Sequence, residues 1–182
     1  MGVSGRAGRG PGSPKAGRSA VFRTRGRHNR RVRISAKVDY AVRAAAELAG
    51  AGEGPLKGER ISVAQEIPVK FLENILLDLK VAGIVASQRG PDGGYWLARP
   101  AGETTIADVI RAVEGPLASV RGARPETLDY QGAAQALVPV WIALRANLRA
   151  VHEAVTLEDV AGQALPAGVL DLTRDPEAWD AH

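Results

Sequence analysis

The chain has 182 residues, of which 45% are hydrophobic, and a formal net charge of +4. These values fit one domain with tails and exclude a wholly disordered chain. No apolar run of about 18 residues is present to cross a membrane, and the first residues lack a secretory apolar run, so we expect a cytoplasmic protein without a membrane partner.

Cysteine is absent, which excludes disulfides, thiolate catalysis and every zinc or iron–sulfur site with Cys ligands. The three histidines lie far apart in the sequence, with no metal-ligand spacing. No nucleophile–base pair or phosphate-binding loop is visible, so the sequence predicts neither an enzyme nor a metal or other cofactor.

The positive charge is concentrated at one end of the chain. Residues 1–33 contain nine Arg, one Lys and no acid, whereas residues 34–182 contain 14 basic and 20 acidic residues, a net of −6. We interpret residues 1–32 as a disordered basic leader. It could hold phosphates as a basic arm, but a non-functional extension or an artefact of start-site choice is the favoured interpretation.

Three helices are predicted first. Apolar residues at helical spacing indicate a helix over 35–50, with Ser35 as its cap, and a shorter helix over 57–65. Pro68 is preorganised for the first position of a third helix over 68–82. The buried stripe of this third helix is predicted to comprise Leu72, Ile75, Leu76 and Leu79.

A hairpin and a fourth helix follow. Strand-forming residues on both sides of a Pro-Asp-Gly turn predict a hairpin over 84–98. Thr105 and Asp108 have capping-box spacing and indicate the start of a helix that ends at Gly115 and Pro116.

A long helix is predicted over 133–154, after a polar connector over 117–132. Its apolar residues have heptad-like spacing and predict a dimerisation seam, although an intrachain helix packed on the first helix would show the same pattern. The residues of the seam are Leu137, Trp141, Leu144, Leu148 and Val151. Thr156 and Asp159 form a second capping-box pattern, which closes a dimerisation region over 133–162. The acidic tail over 163–182 is predicted to be mostly disordered.

The order helix, helix, turn, helix, hairpin is typical of a winged helix-turn-helix, here over 33–116, in a mainly α chain with a small β-hairpin wing. The third helix would present its N-terminal residues to DNA base edges, namely Pro68, Val69, Lys70, Glu73 and Asn74. Lys70 suits phosphate or guanine, Glu73 suits cytosine and Asn74 suits adenine.

The wing is the second predicted DNA contact. Arg89 suits the narrow minor groove, and Gly93 and Gly94 would allow close backbone approach. The residues of the predicted wing contact are Arg89, Gly90, Pro91, Asp92, Gly93, Gly94 and Tyr95.

Alternatives remain open at this point. The same scaffold also serves as a protein-interaction module that regulates an enzyme or the transcription machinery. Glu73 could simply pair with Lys70 on a solvated helix face, which is worth about 0.2–0.5 kcal/mol. Residues 34–116 have nine basic and eleven acidic side chains, so DNA binding requires the basic ones to gather on one face.

Four segments resemble the Rrf2 (IscR/NsrR/CymR) family of bacterial transcription regulators. They are residues 33–43 (RISAKVDYAVR), 67–76 (IPVKFLENIL), 83–95 (GIVASQRGPDGGY) and 106–116 (IADVIRAVEGP). The resemblance implies a regulator that binds double-stranded DNA as a homodimer on a palindromic operator, usually as a repressor. Family members often begin with Met at the position of Val32, so we expect translation to start there, from a GUG codon, and residues 1–31 not to be made.

The chain departs from the family pattern in its connector. Many members hold an iron–sulfur cluster through Cys between the fourth helix and the long helix, and residues 117–135 contain none. The resemblance therefore implies a cysteine-free branch whose input could be an unknown small-molecule effector, a protein partner, or nothing beyond its expression level. Arg121, Arg124 and Tyr130 could bind an anionic metabolite, although pairing of the Arg side chains with Glu126 or Asp129 is the favoured interpretation.

Overall fold

The computed structural model describes Met1, residues 34–52 and residues 54–180. The predicted basic leader and the predicted start at Val32 lie outside these residues. The helices are α1 (Ala36–Gly50), α2 (Gly58–Gln65), α3 (Val69–Val81), α4 (Ile106–Glu114), α5 (Leu137–His152), α6 (Leu157–Ala161) and α7 (Ala167–Leu172). Two strands, β1 (Val85–Gln88) and β2 (Gly94–Leu97), lie between α3 and α4. Among the described residues, no helix is both long enough and apolar enough to span a membrane.

The core is built around α1, which packs against α2, α3, α4 and α6. Its buried face includes Ala41, Ala44 and Ala45, whose small side chains let these neighbours approach closely. The predicted stripe of α3 is confirmed, since all four of its side chains are at most 1% exposed. The predicted cap of α1 is also confirmed, because the backbone N–H of Val38 donates to Ser35 Oγ at 3.1 Å.

The predicted hairpin is confirmed as an antiparallel pair in which Val85 lies opposite Leu97 and Gln88 lies opposite Gly94. Leu56 extends it from the other side. The backbones of Leu56 and Tyr95 exchange two N–H···O bonds of 2.8 Å each. The loop before α2 therefore fixes the wing to the helices.

Both predicted capping boxes are confirmed, at Thr105 and at Thr156. They also join two distant parts of the chain. The N–H of Ile106 donates to the carbonyl of Val155 at 2.9 Å, and the N–H of Leu157 donates to the carbonyl of Thr104 at 2.9 Å. Leu157 is 0% exposed and lies in the same apolar core as α1. Although α6 was expected within the dimerisation region 133–162, it completes the core of the preceding domain.

The long helix and the tail differ from their predictions. α5 begins at Leu137 rather than at 133, after a short 3-10 helix over Gly132–Ala134. Pro139 lies in the first turn of α5, where its missing N–H has no helical partner to lose. The main contacts of α5 are with the connector and α4, not with α1 as the alternative interpretation required.

The tail, expected to be mostly disordered, contains α7 and a 3-10 helix over Pro176–Trp179. Two local bonds explain this order. The indole N–H of Trp179 donates to the carbonyl of Thr173 at 2.7 Å, and the N–H of Glu177 donates to Asp175 Oδ1 at 3.0 Å. Local caps of this kind stabilise short helical turns even where the side chains are exposed.

Candidate nucleic-acid interface

The turn between α2 and α3 sets the position of the exposed end of α3. Glu66 ends α2 in the left-handed conformation, with φ at 51°. Ser62 Oγ donates to the carbonyl of Ile67 at 2.6 Å, and the Ile67 side chain is buried. With the turn anchored in this way, all five predicted contact residues of α3 are exposed, namely Pro68, Val69, Lys70, Glu73 and Asn74.

The polar side chains at this end are available for an outside partner. Within the described part of the chain, Lys70 and Glu73 do not form the ion pair that the alternative interpretation required. The amide of Asn74 donates back to the carbonyl of Lys70 at 3.1 Å, which leaves its other donor and its oxygen free.

A groove of about 300 Å³ lies between α3 and the hairpin. Lys80 Nζ closes one side by donating to Ser87 Oγ at 2.7 Å. The residues lining the groove include Glu73, Leu77 and Lys80 from α3, and Ser87, Gln88 and Arg89 from the hairpin. Of the predicted contact residues, the structure thus brings Glu73 of α3 together with Arg89 and Tyr95 of the hairpin in this groove, whereas Pro68, Val69, Lys70 and Asn74 do not line it.

The tip of the wing is held by a residue that the sequence analysis did not single out. Lys57 Nζ donates to the carbonyl of Gly90 at 3.0 Å and also to the carbonyl of Pro91. Gly90 has a φ of 113°, which favours glycine. Arg89, Gly90, Pro91 and Asp92 are exposed, so this tethered tip is the accessible part of the wing.

The structure gives Gly93 and Gly94 a packing role in place of the expected close approach to DNA. Gly93 and Gly94 are buried, and the backbone they approach closely is the protein's own. A Cβ at Gly94 would lie 2.5 Å from the Leu56 carbonyl oxygen, and one at Gly93 would lie 2.2 Å from the Gln88 carbonyl oxygen. Tyr95 is half-buried and belongs to the apolar residues packed on the core. These three residues build the wing from within.

Several charged side chains of the domain are engaged in ion pairs away from the start of α3 and the tip of the wing. Asp39 pairs with Arg43 at 3.1 Å, and Asp78 pairs with Lys37 at 2.8 Å. Asp108 is shared by Arg111 at 3.6 Å and Arg99 at 3.8 Å. By contrast, Lys70 and Arg89 form no ion pair with the described residues. Several acids are thus engaged by bases outside the α3–wing groove.

The outer face of α3 also carries apolar side chains that the sequence analysis missed. Leu77 is 58% exposed and Val81 is 82% exposed, and both follow Lys70 and Asn74 along one helix face at spacings of four, three and four. Phe71 is also exposed, with its ring edge-on to Tyr40 at 6.3 Å between centroids. The repeat was visible in the sequence and could have indicated this face.

The predicted dimerisation seam is divided between two environments. Leu137 and Leu144 are exposed, whereas Trp141, Leu148 and Val151 are half-buried. No residue of α5 is fully buried. The outward edge of the helix includes Val140, which is 52% exposed and was not among the predicted residues.

The predicted connector residues do not come together. Arg124 lines a cavity of about 560 Å³, whereas Arg121 and Tyr130 are not among its lining residues. Glu126 pairs with Arg145 of α5 at 2.5 Å, and not with an arginine of the connector as expected. A hydrogen bond from its own backbone and the bond from Arg145 hold the pKa of Glu126 below its ordinary value.

The helix-turn-helix of α2 and α3, followed by a β-hairpin against α3, is a winged helix fold. A model of the family described as "Rrf2: Iron-dependent Transcriptional regulator" matches residues 34–163. The chain belongs to the Rrf2 family, and it is a DNA-binding transcriptional regulator and not an enzyme.

Proteins of similar sequence and solved structures of similar fold belong to the same class of regulators. The HTH-type transcriptional regulator Rv1287 of Mycobacterium tuberculosis is 49% identical over 151 residues, which cover 82% of this chain and 94% of that protein. The structure of CymR, the global cysteine regulator of B. subtilis, has a TM-score of 0.62 at 34% identity and covers 73% of this chain and 98% of that one. T. potens IscR has a TM-score of 0.59 at 29% identity and covers 83% and 93%.

The residues that the structure describes contain no donor group that matches the iron in the family's description. The sequence contains no Cys, which rules out thiolate ligation of an iron–sulfur cluster. Across residues 34–52 and 54–180, no group of three or more His, Asp or Glu side chains could hold a metal ion. The connector carries arginines and a glutamate instead.

Proposed function

We propose that the protein is a sequence-specific repressor that binds a palindromic operator as a homodimer, without an iron–sulfur cluster. The observation that carries this proposal is the groove that Glu73 of α3 and Arg89 of the wing line together, next to the exposed first turn of α3. An α-helix that enters the major groove presents such residues to base edges, while a neighbouring loop contacts the backbone or minor groove.

Each exposed polar residue has a distinct expected contact. Lys70 contacts a phosphate or guanine, Glu73 accepts from the amino group of cytosine, and Asn74 contacts adenine. Arg89 enters the adjacent minor groove, where a narrow width strengthens the negative potential. Leu77 offers its apolar side chain to a thymine methyl group.

The wing contact is tested by replacing Arg89 with Ala and measuring operator affinity over a range of salt concentrations. We expect weaker binding and a salt slope reduced by about one, because one phosphate-region contact is lost. Arg174→Ala is the control, since Arg174 lies in the tail and its side chain is 78% exposed. If Arg89→Ala binds the operator with the same affinity and the same salt slope as Arg174→Ala, Arg89 is not a DNA contact.

The base contact is tested by replacing Glu73 with Gln and determining the preferred operator sequence of each protein. Loss of the carboxylate removes an acceptor for cytosine, so preference should relax at one base pair per half-site, by about 1–3 kcal/mol. An unchanged preference at every position would exclude Glu73 from base recognition.

The dimer is supported by the outward edge of α5. Leu137, Val140 and Leu144 follow one another at spacings of three and four, and each is at least 38% exposed. A second copy of the same helix would cover this edge by knobs-into-holes packing. A two-fold pair of winged helices would then meet two inverted half-sites, which is the reason to expect a palindrome.

The dimer is tested by measuring solution mass for Leu144→Glu. A carboxylate at this position would be desolvated by the partner helix, so the variant should be monomeric and should bind a single half-site weakly. Leu172→Glu on α7 is the matched control, because Leu172 is 59% exposed. A Leu144→Glu protein that remains dimeric would place the interface elsewhere.

Repression and independence from iron are tested in a purified transcription reaction. The protein should block transcription from its operator equally in the presence of an iron chelator and of ferrous iron, because it lacks thiolates to hold a cluster. Activation of the promoter would contradict repression, and a dependence on iron would contradict the cluster-free part of the proposal.

A further inference from the structure

The cavity beside the connector is surrounded by four arginines from three segments of the chain. Arg111 comes from α4, Arg124 from the connector, and Arg145 and Arg149 from α5. The cavity has a volume of about 560 Å³, which lies within the usual range of small-molecule sites. Only Arg124 and Glu126 belong to the connector; the other charged lining residues come from the helices on either side of it.

The arginines outnumber the acids that neutralise them. Glu126 accepts from Arg145, and Glu153 accepts from Arg149 at 2.9 Å and also from Arg111. Hydrogen bonds from Arg149 and Arg111 lower the pKa of Glu153, so both carboxylates are ionised at neutral pH. Arg111 also pairs with Asp108, which is shared with Arg99. With this pair included, the network around the cavity contains five guanidinium groups and three carboxylates, which leaves an excess of two positive charges.

Arg124 is the arginine that this network leaves over. Its backbone carbonyl accepts from Thr127 Oγ1 at 2.8 Å, but its guanidinium makes neither an ion pair nor a hydrogen bond with the described residues. An exposed arginine that lines a cavity, and that makes no ion pair or hydrogen bond with the described residues, is available to a ligand.

We propose that this cavity binds a small molecule that carries two negative charges, and that the ligand is the regulator's effector. The effector role rests on the proposed function, whereas binding itself does not. Guanidinium groups bind carboxylate or phosphate oxygens in pairs of parallel hydrogen bonds, so the ligand class comprises phosphate monoesters and dicarboxylates. The uncharged side chains of the lining are few, Pro116 and Leu117 among them, which favours a compact ligand.

The position of the cavity explains how such a ligand would act. Arg111 belongs to a helix packed on α1 and α3, within the DNA-binding domain. Arg145 and Arg149 belong to α5, which carries the proposed dimer contact. A dianion held by both sides would fix the angle between α5 and the domain, and hence the separation of the two recognition helices in a dimer.

Binding is tested by calorimetry on the full-length protein at pH 8. The probes are inorganic phosphate and succinate, with acetate as a singly charged control and chloride to match ionic strength. We expect one site per chain for at least one of the two dianions, and weaker binding of acetate. Arg124→Gln should lower affinity by about tenfold or more, since it removes a charge-assisted hydrogen bond. Arg121→Gln is the matched control, because Arg121 lies in the same connector but does not line the cavity.

The results of these measurements distinguish a phosphate ligand from a dicarboxylate ligand, and they test the cavity separately from the proposed function. Phosphate binding alone indicates a phosphate monoester, and succinate binding alone indicates a dicarboxylate. The site is refuted if neither dianion binds at 10 mM, a concentration about a hundred times that at which a typical metabolite site is half-filled. It is also refuted if acetate binds as tightly as the dianions, or if Arg124→Gln and Arg121→Gln bind the dianion with equal affinity. A reduced salt slope of operator binding in Arg124→Gln would assign Arg124 to DNA instead.

The effector role is tested by operator affinity with and without the dianion that binds. A change in wild type that is lost in Arg124→Gln supports the role, and binding without any change in operator affinity refutes it. If the dianion binds but no DNA site is protected, the failure belongs to the proposed function and not to the cavity.

Discussion

Replacing Leu157 with Ala tests whether α6 is part of the DNA-binding domain. Leu157 is 0% exposed and belongs to the core around α1, so the substitution leaves a cavity in a fully enclosed place. Comparable Leu→Ala substitutions cost about 2.7–5 kcal/mol. We expect a loss near the middle of this range, because the two hydrogen bonds to Thr104 and Ile106 at the start of α6 hold the backbone and oppose collapse of the cavity.

The assay is urea unfolding at one fixed protein concentration, which removes the contribution of mass action in a dimer. Leu172→Ala is the control. Leu172 lies on α7 and is 59% exposed, so its loss should stay within about 0.5 kcal/mol. A Leu157→Ala protein that loses less than about 1 kcal/mol would refute the assignment of α6 to this core.

Three further perturbations test the wing and the end of α5. Gly94→Ala should lower the free energy of unfolding in urea by about 1–3 kcal/mol, since its Cβ would lie 2.5 Å from the Leu56 carbonyl oxygen. Gly168→Ala on α7, where the new Cβ would meet open space, should not lower it. Equal losses in the two variants would contradict the packing role of Gly94. Lys57→Met removes the tether of the wing tip, so trypsin should cleave after Arg89 faster than in wild type, and an unchanged rate would show that the tether is dispensable. Burial lowers the pKa of His152, which means that the unfolded chain takes up a proton first. The free energy of unfolding should therefore fall as pH drops below about 6.5. His152→Gln should lessen this fall between about pH 6.5 and 5.5, above the range where carboxylates titrate. If the pH dependence of stability is the same in wild type and His152→Gln, His152 is not its source.

Local patterns in the sequence were sufficient for most elements of the domain. The stripe of α3 and the two Thr–Asp capping boxes depend on residues three or four positions apart, and such spacings are set by helix geometry itself. The location of α6 could not be obtained in this way. Its capping box predicts a helix, but its attachment to Thr104 and Ile106 is a contact between distant parts of the chain.

The groove between α3 and the wing could likewise be predicted only in part from local sequence patterns. The order of helices and hairpin placed α3 beside the wing, which was enough to predict that Glu73 and Arg89 lie in one groove. The role of Gly94 could not be predicted, because the atom it must avoid, the Leu56 carbonyl oxygen, lies across a loop. The arginine cavity was missed for a similar reason. Arg145 and Arg149 share a face of α5 at a spacing of four, but only the tertiary structure brings Arg111 and Arg124 to that face.

The pair of hydrogen bonds that joins Thr104 and Ile106 to Val155 and Leu157 has a consequence for the design of the whole chain. These bonds close a loop that consists of α4, the connector and α5. Because α4 packs on α1 and α3, the connector and α5 are the part of the loop outside the domain, and their length should hardly affect the folding of the DNA-binding part. Exchange of the connector and α5 for another segment would therefore change the proposed effector site and the proposed dimer contact, and would leave the predicted operator contacts of α3 and the wing in place.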